Sequence, residues 1–335
     1  MALLADRLVC RCGALGVLLF PPDVQKAGGL TKNDKRTLQT VLGKEEIGMK
    51  LVQLTGPLRK RFGDREAIRL IREAGYDGYD YSMFHMANTA EDIGGDGWLA
   101  YAKELRAYDD SLGIPCLQGH APFTNLRSYE ETAAFLPYLV RAVKIAGILG
   151  CPILVVHPGN NFTAEENYEH IFRHLMPVAK ECGVKIATEN MWNYDDQNKV
   201  PYPSACGTGE DFCRHVDLVN DPDFGACLDI GHAEMPYAPG APAMIRALEK
   251  KRLFALHVHD NDKMGDLHTT PFEPGCKIRW QPIIDALREV GYAGDFTYEV
   301  PCSYHRYPDG LIPAVLRFQA EIGRYFIDKL CAQNQ

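Results

Sequence analysis

Short hydrophobic runs alternate with longer segments of helical periodicity along most of this chain. From Met49 onward, strand-length apolar runs recur eight times, at residues 50–54, 78–81, 115–119, 153–157, 185–189, 225–229, 254–257 and 296–299. Between these runs, apolar residues repeat every three or four positions, which is the spacing of one helix face. Several of the helical segments end at a glycine, the residue that favours a helix C-terminus: Gly75, Gly150, Gly183 and Gly291.

Eight strand–helix units without a sign of an antiparallel hairpin predict an α/β fold, the parallel (β/α)8 barrel known as the TIM barrel. A doubly wound open sheet is the alternative, but no Gly-x-Gly-x-x-Gly motif follows an early strand. We expect residues 49–335 to form a single catalytic barrel domain. We interpret residues 1–48 as an N-terminal extension that is disordered, or that is not part of the native protein if translation begins at Met49. A signal peptide is disfavoured because Pro21-Pro22-Asp23 follows the apolar stretch at 14–20.

Many of the predicted strands lead into a side chain that can bind a metal ion or move a proton. In a parallel barrel, the carboxyl ends of the strands and the following loops open on one face, where catalytic groups lie. Histidine and carboxylate groups at that face coordinate divalent cations or transfer protons near neutral pH. The nine candidates are His120, His157, Glu189, Asp229, His232, His257, Asp266, His268 and Glu299.

Each candidate also has a purely structural explanation. A single histidine at a strand end is more often a hydrogen-bonded structural residue than a metal ligand. An unpaired carboxylate buried in a barrel mouth is costly, so Glu189, Asp229 and Glu299 require cations or hydrogen-bond donors nearby. Their occurrence together with the histidines favours one shared site. His259 alternates with His257, so we expect it to face away from the mouth or to lie beyond the strand.

Composition narrows the class of partner. The chain has 335 residues, 46% hydrophobic and 24% charged, with a formal net charge of -8. This composition fits a soluble globular protein and offers no global positive field for a polyanion such as DNA. Eleven cysteines lack the spacing of a disulfide framework, so we expect reduced thiols in a cytoplasmic protein. Since no run of about eighteen apolar residues occurs, we expect no membrane span. The sequence leaves open whether the protein forms a homo-oligomer.

Four motifs resemble those of the xylose-isomerase-like barrels. This superfamily holds sugar and sugar-phosphate isomerases and epimerases, inosose dehydratases and the family 2 AP endonucleases of the endonuclease IV type. The motifs are Ala187-Thr-Glu-Asn190, Leu228-Asp-Ile-Gly-His232, Leu256-His-Val-His-Asp-Asn261 and Tyr298-Glu-Val300, and the resemblance covers residues 49–331. The resemblance implies one divalent ion, commonly manganese, cobalt or magnesium. Its implied ligands are Glu189, Asp229, His257 and Glu299, with His232 contacting the substrate.

Chemistry next to a carbonyl accounts for such a ligand set. Isomerising a sugar removes a proton beside the carbonyl, and a divalent ion on the carbonyl and hydroxyl oxygens stabilises the resulting enediolate. Glu189 and Glu299 are the expected base and acid. Oxygen-rich ligation with one imidazole favours manganese or magnesium, whereas more histidines would favour zinc. The residues expected to contact the small carbohydrate substrate are His232, His120, His157, Asp266, His268 and Trp192.

We therefore predict a metal-dependent sugar or sugar-phosphate isomerase or epimerase, and two other reactions stay open. Inosose dehydration begins with the same proton abstraction and then expels a hydroxyl. The repair nucleases hold three zinc ions, and His120, His157 and the pair Asp266 and His268 match their additional ligands. The acidic charge and the absence of a strongly basic rim oppose nucleic-acid binding. A non-catalytic sugar-binding barrel would gain little from two glutamates suited to proton transfer.

The substrate itself stays open as well. Lys263 stands where the ketose epimerases place a substrate-binding arginine. No glycine-rich loop after the last two strands demands a phosphate group. Six aromatic residues near the rim loops are either sugar-stacking residues or, more commonly for such positions, packing residues: Tyr79, Tyr81, Phe84, Phe123, Trp192 and Trp280.

Overall fold

Eight parallel strands alternate with helices around a barrel, which confirms the predicted fold class. The computed structural model describes residues 48–90, 92–236 and 238–332, so the predicted extension lies outside the described residues except for Gly48. The barrel order is β10-β1-β2-β3-β4-β5-β8-β9, and β6 and β7 form a separate pair. The strands are β1 Leu51–Leu54, β2 Gly78–Ser82, β3 Cys116–His120, β4 Ile153–Val156, β5 Lys185–Glu189, β6 Trp192–Asp195, β7 Val200–Pro203, β8 Phe224–Asp229, β9 Leu253–His257 and β10 Phe296–Tyr298.

Helices cover the outside of the barrel and bury one apolar face each. On the helix Trp280–Val290, for example, Ile283, Ile284 and Leu287 are buried at helical spacing. The helices are α1 Gly56–Phe62, α2 Asp64–Glu73, α3 Trp98–Leu112, α4 Tyr129–Leu149, α5 Ala164–Asn167, α6 Arg173–Cys182, α7 Gly209–Val219, α8 Ile230–Ala233, α9 Ala241–Arg252, α10 Trp280–Val290 and α11 Ile312–Cys331. Gly150, Gly183 and Gly291 adopt the left-handed conformation directly after α4, α6 and α10, as the helix-stop pattern predicted.

Helix α4 is long and apolar enough to cross a membrane by length and composition alone, with a mean hydropathy of 1.5. Its buried residues include Leu139, Val143 and Ala146, which belong to the main hydrophobic core of the barrel. A helix that covers a barrel needs the same apolar face. The nine cysteines within the described ranges are free thiols.

The barrel closes through a short seam between β9 and β10. Val258, directly after β9, forms a parallel bridge with Tyr298. The Val258 N–H donates to the Thr297 carbonyl at 2.8 Å, and the Glu299 N–H donates to the Val258 carbonyl at 3.1 Å. This closing seam therefore lies beside His257 and Glu299, two of the predicted site residues.

An antiparallel hairpin follows β5, and the prediction of a chain without hairpins was wrong here. β6 pairs with β7 in antiparallel register, from Trp192 opposite Pro203 to Asp195 opposite Val200. The Asp195 carboxylate stabilises the turn by accepting hydrogen bonds from the backbone of Gln197 and Asn198, at 2.8 and 3.0 Å. Both strands are half-exposed, β6 mixes aromatic with polar residues, and β7 contains two prolines, so neither has the hydrophobic run by which the barrel strands were recognised.

Candidate active site

Strand periodicity explains why the site residues face the barrel interior. Val155, Ala187, Cys227 and Ala255, from four adjacent strands, pack together as a separate small cluster. Side chains two positions apart point to the same face of a strand. Stepping two residues toward the mouth from these four leads to His157, Glu189, Asp229 and His257. A layer of mainly small side chains thus supports a layer of polar groups at the carboxyl ends of the strands.

The central group consists of Glu189, Asp229, His257 and Glu299, the four residues predicted as metal ligands. One nitrogen or oxygen atom from each lies within 4.8 Å of the others. His257 Nδ1 lies 3.2 Å from Glu189 Oε2 and 3.1 Å from Glu299 Oε2. All four side chains are buried. The structure brings the predicted ligands together, and their roles stay predictions.

A second group joins two predicted substrate residues to the same glutamate. His120 Nε2 lies 2.9 Å from His157 Nε2. The two nitrogens lie 3.5 and 3.2 Å from Glu189 Oε2. His120 ends β3 and His157 follows β4, so adjacent strands deliver the pair. Glu189 is therefore shared between this group and the central one.

A third group consists of His232, His259, Asp266 and His268. Asp266 Oδ2 lies 3.2 Å from His232 Nε2 and 3.0 Å from His268 Nε2. His259 lies beyond β9, in the second of the two predicted arrangements, and its Nε2 is 2.9 Å from Asp229 Oδ1. Its ring stacks on that of His268 at a centroid distance of 4.0 Å. The sequence analysis did not count His259 among the nine candidates.

Several atoms of these groups are buried without a hydrogen-bond partner in the described part of the chain: Glu189 Oε2, His257 Nδ1, His120 Nδ1 and Asp266 Oδ1. A buried polar atom left unpaired costs about 1–3 kcal/mol. Glu189 Oε2 and His257 Nδ1 lie only 3.2 Å apart, yet they do not form a hydrogen bond. Converging carboxylate and imidazole lone pairs suit a divalent transition-metal ion. These residues therefore fit such an ion.

Opposite charges alternate across the site. Burial opposes the ionisation of Glu189, but His257 and His157 hold the pKa of its carboxyl well below the usual value. Burial likewise opposes ionisation of Glu299, whose pKa His257 nevertheless lowers. Burial also disfavours the charged form of His268, yet the adjacent Asp266 raises its pKa to about 9. Glu189 and Glu299 are thus ionised, which is the form that binds a cation.

Seven members of the three groups form the floor of a cavity of about 460 Å³: His120, His157, Glu189, His232, Asp266, His268 and Glu299. The other three members, Asp229, His257 and His259, are buried and are not part of its described lining. Its walls include Phe84, Phe123 and Trp192, and the Trp192 indole N–H donates to Asp266 Oδ2 at 3.3 Å. Among the described residues, no lysine or arginine lines this cavity. Lys263, which stands at the position of the substrate-binding arginine of the ketose epimerases, is not part of the described lining. Its Nζ lies 2.6 Å from Glu234 Oε2. The other three rim aromatics pack in the core: Tyr79, Tyr81 and Trp280.

The sequence analysis also missed Asp80, in the middle of β2. Its carboxylate accepts a hydrogen bond from Gln118 Nε2 at 2.8 Å and lies 3.6 Å from His257 Nε2. Asp80 thus lies on the side of His257 opposite to Glu189 and can orient its ring. The signal was a charged residue within an otherwise buried strand, where an unpaired carboxylate is unfavourable.

A closed parallel barrel with polar groups at its carboxyl-terminal mouth defines the class of protein, a barrel of the TIM type. Residues 68–322 match the family described as xylose isomerase-like TIM barrel, and the chain belongs to this family. The sequence-based resemblance is thereby confirmed.

Solved structures support the same fold. A D-tagatose 3-epimerase-like protein superimposes with a TM-score of 0.65 at 20% identity, covering 84% of this chain and 98% of its own. The IOLI protein with a binding zinc atom gives 0.65 at 18%, covering 85% and 100%. The 3-keto-D-glucoside 4-epimerase YcjR of E. coli gives 0.60 at 17%, covering 82% and 99%. At these identities, the similarity shows a shared fold.

Proposed function

We propose that this protein is a divalent-metal-dependent isomerase or epimerase of a small carbohydrate, acting by proton abstraction next to a carbonyl. The observation that carries the proposal is the central group, in which two glutamates, an aspartate and a histidine converge within 4.8 Å and the two glutamates, Glu189 and Glu299, line the cavity. Two structural neighbours, the D-tagatose 3-epimerase-like protein and the 3-keto-D-glucoside 4-epimerase, agree with an epimerase. The zinc atom of a third neighbour, the IOLI protein, agrees with a metal-binding barrel.

Glu189, Asp229, His257 and Glu299 would hold the ion. A bound divalent cation supplies Lewis acidity toward the carbonyl and adjacent hydroxyl oxygens as an enediolate forms. Glu189 takes the proton from the carbon beside the carbonyl, and Glu299 returns a proton to the neighbouring carbon or to the other face. Manganese is our expectation for the ion. The histidines around the central group also leave magnesium, cobalt and zinc as candidates, zinc being favoured as more imidazoles bind.

The aromatic walls and His232 complete the proposed substrate site. The Asn190 carbonyl accepts a hydrogen bond from His232 Nδ1 at 2.9 Å, which leaves Nε2 pointing to Asp266 and the cavity. His232 can therefore orient a substrate hydroxyl. Phe84 and Trp192 present apolar surface to the cavity, and electrostatic interactions are stronger beside apolar walls than in bulk water.

Solvent hydrogen exchange tests the proposal. The protein loaded with manganese should incorporate deuterium from heavy water into a ketose panel, and Glu189→Gln should abolish that exchange. Glu210→Gln, the same chemical change at an exposed position on α7, is the matched control and should retain it. Metal content measured for both variants separates loss of the base from loss of the ion. Unchanged exchange in Glu189→Gln would remove the base assignment.

Product analysis in the same assay separates epimerisation from dehydration. A lyase of the inosose-dehydratase type would consume the deuterated sugar and release a dehydrated ketone, whereas an epimerase returns a sugar of equal mass apart from deuterium. The proposal expects the second outcome.

One observation favours a second candidate, a metal-dependent phosphodiesterase. Three adjoining ligand groups, which share Glu189 between two of them, could hold more than one ion. Two-metal sites of this kind clamp the attacking and leaving oxygens of a phosphate. The described residues of the cavity lining include no lysine or arginine, which opposes a polyanionic substrate. Three zinc ions per chain together with cleavage of an abasic-site duplex would favour the nuclease over the isomerase.

A further inference from the structure

The cavity extends beyond the proposed metal ligands to a row of side-chain amides. Asn125 follows β3, Asn160 follows β4 and Asn193 lies on β6, and all three line the cavity. Ser204, which directly follows β7, is hydrogen-bonded to Asn160. These four residues, which we call the amide row, come from separate segments and are more exposed than the buried cavity floor.

Contacts within the amide row fix the positions of its polar groups. Asn193 Nδ2 and Ser204 Oγ both donate to Asn160 Oδ1 at 3.1 Å. The side-chain amides of Asn125 and Asn160 meet at 2.5 Å. A primary amide carries two N–H donors and an oxygen with two lone pairs. In these contacts Asn193 uses one of its two amide hydrogens, so the row keeps hydrogen-bonding capacity for a ligand.

The chemistry of this region suits an uncharged, hydroxyl-rich ligand. Neutral amides both donate to and accept from neighbouring hydroxyl groups. Phe123 and Tyr194 line the same cavity and are 49% and 42% exposed, which is unusual for packing residues. Aromatic faces pack against the apolar face of a sugar ring. Among the described residues, no lysine or arginine lines the cavity. The Arg127 guanidinium outside it lies 2.7 Å from the Asn125 side-chain amide, so a phosphate group at the row would compete with that amide for it.

The size of the cavity exceeds the need of a single sugar. Its volume of about 460 Å³ falls within the range of about 300–1,000 Å³ that encloses a drug-sized ligand. Asn125, Asn160 and Asn193 line this cavity without belonging to any of the three ligand groups, so their polar atoms are available to a ligand that extends past the floor. The space and the polar groups beyond the floor thus call for a second ring.

We propose that the amide row, with Phe123 and Tyr194, is a second sugar subsite, and that the substrate is an uncharged glycoside. This inference rests on the proposed function, because the reacting ring is placed at the metal-binding groups. The second ring supplies binding energy and stays chemically unchanged. Asn160 and Asn193 are its specificity-determining residues.

Exchange kinetics with three related probes test the inference: D-fructose, its uncharged 4-O-glucoside and its 6-phosphate. The manganese-loaded parent should exchange deuterium into the glucoside with a higher kcat/KM than into the other two. Removing the two hydrogen-bonding side chains in Asn160→Ala/Asn193→Ala should raise KM for the glucoside roughly tenfold, the size expected from lost hydrogen bonds. The KM for D-fructose should rise less than the KM for the glucoside, so that the double variant loses the preference for the glucoside.

Asn198→Ala provides the matched control, because Asn198 lies in the turn of the same hairpin, outside the cavity lining, and bonds Asp195. This variant should leave the preference for the glucoside intact. Equal kcat/KM for the glucoside and D-fructose in the parent would overturn the inference. So would an equal rise of KM for both sugars in the double variant.

Failure of the proposed function would be recognised separately. If the parent exchanges deuterium into none of the sugars, calorimetric titration with the same glucoside decides the subsite. Binding that weakens in Asn160→Ala/Asn193→Ala but not in Asn198→Ala would uphold the subsite without the isomerase. Absence of binding by the parent would overturn it.

Discussion

Gly231 is a position where one methyl group should disturb the third ligand group. A Cβ atom added there would lie 1.8 Å from His259 Cε1 and 2.4 Å from each ring nitrogen. Neither the Gly231 backbone nor the His259 ring is free to move away from the other. Asn261 Nδ2 donates to the Gly231 carbonyl at 2.9 Å, and Asn190 bonds the Asp229 backbone on both its N–H and its carbonyl. The His259 ring is fully buried.

The cost of Gly231→Ala follows from two effects. Overpacking a buried site typically costs about 1–3 kcal/mol. Displacing His259 also breaks its 2.9 Å hydrogen bond to the Asp229 carboxylate, and bonds to charged groups contribute about 1.5–3 kcal/mol. The sum, roughly 2.5–6 kcal/mol, is a large part of the usual stability of a folded protein.

Urea unfolding of Gly231→Ala measures this cost. The control is Gly310→Ala, where an added Cβ meets no atom within 4 Å and the residue is exposed; its midpoint should change little. In a His259→Ala background the clash is gone, so adding Gly231→Ala should then cost less than about 1 kcal/mol. An equal destabilisation by Gly231→Ala in both backgrounds would refute the steric argument.

Two further predictions concern pH and metal. Burial raises the pKa of Asp109 to about 7, although the Tyr79 hydroxyl donates to it. The folded state therefore binds a proton that the unfolded state has lost between about pH 4 and pH 7, so stability falls as pH rises through this window. Asp109→Asn should remove that fall, and parallel pH dependence of the thermal midpoint in both proteins would contradict it. Removing bound metal with a chelator should lower the thermal midpoint, since a ligand at about 100 times its Kd contributes roughly 2.7 kcal/mol. Full recovery on adding manganese is expected, and an unchanged midpoint after verified metal loss would count against the ion at this site.

The barrel and most of its mouth were predictable because their signals are local. Each barrel strand is a short apolar run, and strand periodicity projects its terminal residue inward, as for Glu189 after Ala187. His259 was harder to place, because its orientation depends on where β9 ends and on the space left by Gly231. The β6–β7 hairpin and the amide row were not predictable, since short half-exposed strands, one of them with two prolines, give no hydrophobic pattern and asparagines are common in loops. Their grouping arises from tertiary contacts alone.

The position of the proposed ion beside the closing seam of the barrel links metal binding to the rigidity of the fold. His257 and Glu299 stand on the two edges that meet there, and only a few backbone bonds join those edges. A cation bound by both side chains would link β9 to β10. Without the ion, the barrel would then open most readily between β9 and β10. Metal binding would make this part of the barrel more rigid.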